Sequence, residues 1–156
     1  MEINETINLS NILSHFQKAA TKLKYPKLKL TNPEICLSYA GGRARYPGTI
    51  TITNGKGYGN VANHYYGRID TFGTFIQSPY NSIAPEKLKI ILEFLEQLNS
   101  NPLSVALTYS KATGNCMFCG RLITTNESLT VGYGPICAEN WGLPWGEVED
   151  TILESL

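Results

Sequence analysis

The chain has two histidines and two methionines in 156 residues, no apolar run of membrane-spanning length, and no lysine or arginine after Arg121. The first scarcity restricts the soft-ligand inventory for any metal to a few positions. The second excludes a hydrophobic helical span. Met1-Glu2-Ile3-Asn4-Glu5 lacks the basic-then-apolar pattern of a secretory leader, so a cytoplasmic protein is expected. Neither an internal repeat nor a low-complexity segment is present. The four cysteines of such a chain favour thiolate and metal chemistry over disulfides.

Three of those cysteines form the constellation that most needs a chemical explanation: Cys116-Met117-Phe118-Cys119-Gly120, then Gly132-Tyr133-Gly134-Pro135-Ile136-Cys137. Two thiolates separated by two residues can grip one tetrahedral ion only where the chain turns sharply, and Gly120 permits a positive φ directly after the pair. The stretch Arg121 to Val131 has the look of a short β-hairpin, with apolar arms either side of Thr125-Asn126-Glu127-Ser128. Pro135 suits a first helical position, which places Cys137 in the first turn of a helix from Ile136 to Trp141, ended by Gly142 and Pro144. Knuckle, hairpin and ligand-bearing helix are the parts of a treble-clef zinc finger. A thioredoxin-like pair would need a βαβ context that the flanking glycines argue against, and buried, unliganded cysteines are the plainer alternative. The fourth ligand stays open among Cys36, His64, His15, Asn140 and water.

The same strings carry a resemblance. Cys116-Met117-Phe118-Cys119-Gly120-Arg121-Leu122 followed by Gly132-Tyr133-Gly134-Pro135-Ile136-Cys137 resembles an uncharacterised domain family of phage and bacterial proteins, whose hallmark is Cys-x-x-Cys-Gly-Arg-x-Leu and then Gly-x-Gly-Pro-x-Cys. Arg43-Ala44-Arg45-Tyr46-Pro47-Gly48 and Tyr65-Tyr66-Gly67-Arg68-Ile69 look like segments that accompany it. The likeness implies a phage-type zinc-finger protein and brings no established activity.

Net charge is zero, yet unevenly distributed. Lys18 to Arg68 holds nine basic residues against Glu34 alone, whereas Glu127, Glu139, Glu147, Glu149, Asp150 and Glu154 have no basic residue among them after Arg121. Such polarity suggests a basic face for a polyanion and an acidic tail, or a tail and face that neutralise one another.

Apolar periodicity predicts a helix from about Leu9 to Lys24, with Asn8 or Ser10 as cap, and stopped before Pro26. From Leu28 to Ile76 the pattern turns to β, with strict alternation in Thr49-Ile50-Thr51-Ile52-Thr53. In His64 to Asp70, alternation puts Tyr65 and Ile69 on one side and His64, Tyr66 and Arg68 on the other. The Asn54–Asn60 loop is rich in glycine, but a strand rather than a helix follows it, which argues for a hairpin over a phosphate cradle. Pro85 opens a second helix with a Leu88, Ile91, Leu92, Leu95, Leu98 stripe, and a third runs from Pro102 to about Lys111.

The expected fold is α+β: a small antiparallel β-meander packed with helices, followed by a treble-clef-like zinc finger. The expected division is 1–112, with the finger at 113–146 and an acidic tail or helix at 147–156. Arg43, Arg45, Tyr46, Lys56, Tyr58, His64, Tyr66 and Arg68 are the expected binding residues, because guanidinium groups pair with phosphate and tyrosine rings stack on bases. The favoured partner is single-stranded nucleic acid. A host nucleic-acid-processing or defence protein, blocked by a phage factor, and a nucleotide signal handled through His64 are the alternatives. With no nucleophile or carboxylate pair in evidence, enzyme activity ranks lowest. Trp141 and Trp145 are candidates for a contact patch or for packing beneath the finger.

Overall fold

The structure, a computed structural model, describes residues 8–31, 34–56, 64–78 and 83–143. The expectations for Tyr58, Trp145 and the acidic stretch 147–156 fall outside them.

Helix α1 spans Ser10–Ala20 and buries Ile12, Leu13, Phe16 and Ala19. It is shorter than its periodicity predicts because the Thr21 hydroxyl donates to the Lys18 carbonyl and turns the chain there. Its first-turn N–H groups are satisfied by asparagines: Ser10 N–H donates to Asn8 Oδ1 at 2.9 Å, and Ile12 N–H to Asn99 Oδ1 at 2.9 Å.

Five strands follow, β1 Lys27–Thr31, β2 Glu34–Tyr39, β3 Ile50–Thr53, β4 Tyr65–Ile69 and β5 Phe75–Gln77. They form one antiparallel meander in the order β1-β2-β3-β4-β5, as the alternating sequence predicts. Its register sorts the side chains into two faces. Leu28, Leu37, Ile52 and Gly67 lie in one row, with Leu30, Ile35, Ile50 and Ile69 on the same side, and the large residues of that side are buried. The opposite face carries the row Lys27, Ser38, Thr51, Arg68 and the row Lys29, Cys36, Thr53, Tyr65.

One departure from alternation matters. Ile52 pairs with Gly67 and Thr53 with Tyr65, so Tyr66 is the extra residue of a β-bulge. The bulge reverses the expected sidedness: Tyr65 joins Arg68 on the open face, and Tyr66 turns inward to 1% exposure.

Helices α2 (Pro85–Ser100) and α3 (Pro102–Thr113) each start on a proline and meet at Asn101. Asn101 Oδ1 accepts from Ser104 N–H at 3.2 Å, capping α3. Both helices match the sequence pattern, and α2 buries Leu88, Ile91, Leu95 and Leu98.

The expected hairpin between the cysteines does not form. Its only ladder is one bridge between Asn115 and Leu122, and the second arm is helix α4, Asn126–Val131. Local capping overrides the β-branched residues there: the Thr125 hydroxyl accepts from Ser128 N–H at 3.2 Å, and Gly132 closes the helix in the left-handed conformation. Helix α5, Pro135–Trp141, begins on the expected proline and ends at Gly142. One continuous core runs from the inner sheet face through the helices to Met117, Ile123, Val131, Tyr133 and Trp141.

Candidate metal centre and basic sheet face

Cys116 and Cys119 sit in the turn after α3, and Cys137 in the first turn of α5. Backbone bonds fix the turn: Gly120 N–H donates to the Cys116 carbonyl at 2.8 Å, and Cys116 N–H to the Arg121 carbonyl at 2.9 Å. Gly120 holds φ at +76°, as a turn directly after the pair requires. Phe118 N–H points at Cys116 Sγ from 3.4 Å.

The three sulfurs lie within 4.8 Å of one another, a group able to hold a metal ion. Cys116 Sγ and Cys137 Sγ are 3.8 Å apart. Two thiolates on a tetrahedral ion with metal–sulfur bonds of about 2.3 Å would be separated by about 3.8 Å, so this pair already has the spacing of a tetrahedral edge. Contact with the Cys137 sulfur is the main cause that pushes the Cys116 thiol down to about 5, against the opposing effect of burial and with help from backbone N–H groups. Cys137, sharing that contact, is pushed upward by it and by burial. The first negative charge therefore settles on Cys116, and a cation is what would draw the proton from Cys137.

Among the described residues no histidine, fourth cysteine or carboxylate joins the cluster. Cys36 is buried on the open side of the sheet with its sulfur 3.7 Å from Ser38 Oγ. His15, one of the candidate fourth ligands, is half-buried with Nδ1 2.7 Å from the Trp141 carbonyl oxygen, which makes Nδ1–H the donor. His64 packs against Tyr66 with ring centroids 5.0 Å apart. Asn140 borders the same groove as the three cysteines.

An aromatic chain ties the centre to the rest of the fold. Phe118 meets the buried Tyr133 edge-on at 5.9 Å and Trp141 at 5.1 Å, and Trp141 meets Phe16 of α1 in a T-shaped contact at 4.8 Å. Trp141 is 1% exposed, which makes it a packing residue rather than part of a contact patch. At the rim, Lys22 Nζ lies 2.8 Å from Glu139 Oε1 and holds that carboxyl below its usual range.

The binding residues expected from sequence are brought together in part. Arg45 and Arg68 both lie over the Tyr46 ring, at 5.4 and 4.1 Å from its centroid, and Arg43 is exposed nearby in sequence. Lys56 is ion-paired with Glu34 at 3.1 Å. Tyr66 is buried in the core with Lys87 Nζ 5.3 Å from its ring centroid, so its face is not offered to a base. Sequence reasoning passed over Lys24, Tyr25, Lys27 and Lys29, which line a groove beside the cysteines together with Arg121. The lysine run was visible as charge, but its position opposite Arg121 follows only from the fold.

Residues 106–142 match a family of unknown function, DUF6011. An uncharacterised family is also what the sequence resembles. No curated protein and no solved structure matches the chain. The matched span opens inside α3, where Gly132 packs onto the helix: a Cβ at Gly132 would stand 2.8 Å from the Ala106 carbonyl oxygen and 2.9 Å from Leu107 Cα. The latter half of α3 is thus the platform on which the turn after α4 closes.

Proposed function

We propose that the chain is a zinc-stabilised, non-enzymatic binding protein whose open sheet face holds single-stranded nucleic acid. The observation that carries this reading is that face itself. It bears Lys27, Lys29, Arg68 and Tyr65 in register, and its acid Glu34 is occupied by Lys56. Arg68 and Arg45 both lie over Tyr46, which gathers two guanidinium groups for phosphates at one point of the face. Zinc is the ion that suits three thiolates with tetrahedral spacing in a turn-and-helix site. Its part is structural, holding the knuckle against α5 and, through Trp141, against α1.

The test has two readouts on one preparation. Protein purified without added metal is expected to carry one zinc per chain, lost in Cys116→Ser and Cys137→Ser but kept in Cys36→Ser. The zinc-loaded protein is expected to bind a labelled oligothymidine with an affinity that falls steeply as salt rises, because bound phosphates release counterions. Metal-free protein of unchanged fold refutes the first half. Absent or salt-independent binding refutes the second.

A further inference from the structure

The open face does not end at its edge strand. Beyond β1 lies a groove of about 920 Å³, walled on one side by Lys24, Tyr25, Lys27 and Lys29 and on the other by the cysteine turn with Arg121. Among the described residues four cations line it and no carboxylate does. Among the described residues none of the four has an ion-pair partner. Lys24 Nζ lies 5.6 Å from the centroid of the Tyr25 ring, which is 76% exposed. Among the described residues the ionised Cys116 offsets only one of these four cations, so the depression keeps a positive potential that its shape focuses.

We infer that this groove is a binding site for the sugar–phosphate backbone of a single strand, continuing the track that starts at Arg45, Tyr46 and Arg68. The inference rests on the nucleic-acid reading above and adds the site where most of the phosphate contact is made. Three geometric facts support it. Lys27 belongs both to the groove wall and to the sheet row that ends at Arg68, so one strand can touch both regions. Three strand spacings of about 4.8 Å separate β1 from β4, a span of about 14 Å, which a few nucleotides bridge. Lys27 and Lys29 repeat along β1 at about 6.7 Å. That is close to the distance between successive phosphates of one strand, so the two lysines can meet neighbouring phosphates while an exposed base reaches Tyr25.

The experiment uses zinc-loaded full-length protein, a fluorescent 15-mer of thymidine, and anisotropy at several salt concentrations. Lys27→Gln with Lys29→Gln is expected to weaken binding at least tenfold at low salt and to flatten the log–log salt slope by about 1.4, at ~0.7 for each phosphate that is no longer neutralised on a single strand. Tyr25→Ala is expected to weaken it about 5- to 160-fold, the usual range for one stacked base. All three side chains are exposed, and zinc content and circular dichroism verify that each variant is folded and loaded. A duplex of equal length is expected to bind more weakly than the 15-mer.

If the groove variants bind like wild type while Arg45→Ala with Arg68→Ala does not, the groove assignment is overturned and the nucleic-acid reading stands. If wild type does not bind the 15-mer, both fall. If the groove variants keep their affinity for the 15-mer but lose affinity for a polyglutamate peptide, the occupant is an acidic protein segment and the assignment is again overturned.

Discussion

Replacing Gly132 with alanine tests whether the cysteine module is built on α3. Gly132 has φ +91°, a conformation that costs a non-glycine residue about 1–2 kcal/mol. The added methyl would also stand 2.8 Å from the Ala106 carbonyl oxygen and 2.9 Å from the Ala106 carbonyl carbon and Leu107 Cα. These are helix backbone atoms, so relief requires moving α3 against α4, a packing cost of about 1–3 kcal/mol. The two costs together come to about 2–5 kcal/mol. Gly120 supplies the control: its φ is +76° and nothing lies within 4 Å of its ideal Cβ, so Gly120→Ala carries the conformational cost alone, about 1–2 kcal/mol. Urea unfolding followed by tryptophan fluorescence, in the same excess of free zinc for both variants, measures the difference, since unequal metal occupancy would otherwise shift apparent stability. Gly132→Ala should unfold at distinctly lower urea than Gly120→Ala. Equal midpoints would mean that the turn after α4 does not press on α3, and the platform argument would be wrong.

Two further outcomes follow from the centre and its aromatic tether. At pH 7, zinc binding to the folded metal-free protein should release at most two protons rather than three, because Cys116 is held near 5 and is already ionised; titration calorimetry in buffers of different ionisation enthalpy counts them, and release of three would refute that ionisation. Trp141→Ala should destabilise by about 3–5 kcal/mol, and a double-mutant cycle with Phe16→Leu should return a coupling of about 0.5–1.5 kcal/mol for their edge contact at 4.8 Å, whereas additive effects would show that α5 does not dock through this pair.

What the chain discloses before folding is whatever depends on near neighbours. The stripe of α2, the proline starts of α2 and α3, and the Pro135-to-Gly142 frame around Cys137 are all written in spacings of a few residues. The convergence of the cysteines is legible from their spacing, but its route is not, since Cys137 returns through α4 packed on α3 rather than through a hairpin. The failures have two causes, competing local signals in one case and long-range contacts in the rest. Leu129-Thr130-Val131 has β character, but Thr125 and Gly132 cap the segment at both ends and a six-residue helix results. Alternation misplaced Tyr65 and Tyr66 because a bulge inserts a residue only relative to a partner strand, and β3 is the partner that defines it. Trp141 and His15 were undecidable because they meet across 126 residues. The groove is invisible for the same reason, since Arg121 and the lysines of β1 come to one groove only in the folded chain.

The location of the cysteines also bears on why a binding face would need a metal at all. The groove has one wall on the sheet and the other on the cysteine turn, so its width depends on where that turn sits. The turn is held from below by Phe118, Tyr133 and Trp141, which belong to the same core as Phe16 and the inner sheet face. Structural zinc contributes about 10–16 kcal/mol to the folding of zinc-finger peptides, comparable to the whole stability of a small domain. Through a shared core, an ion bound at Cys116, Cys119 and Cys137 would therefore act on the sheet as well as on the turn. A rigid second wall lets cations on both sides meet one strand without each binding event repeating the ordering cost. On the proposed reading, a metal there would serve the binding surface without touching the ligand, because it would fix the distance between Arg121 and the lysines of β1.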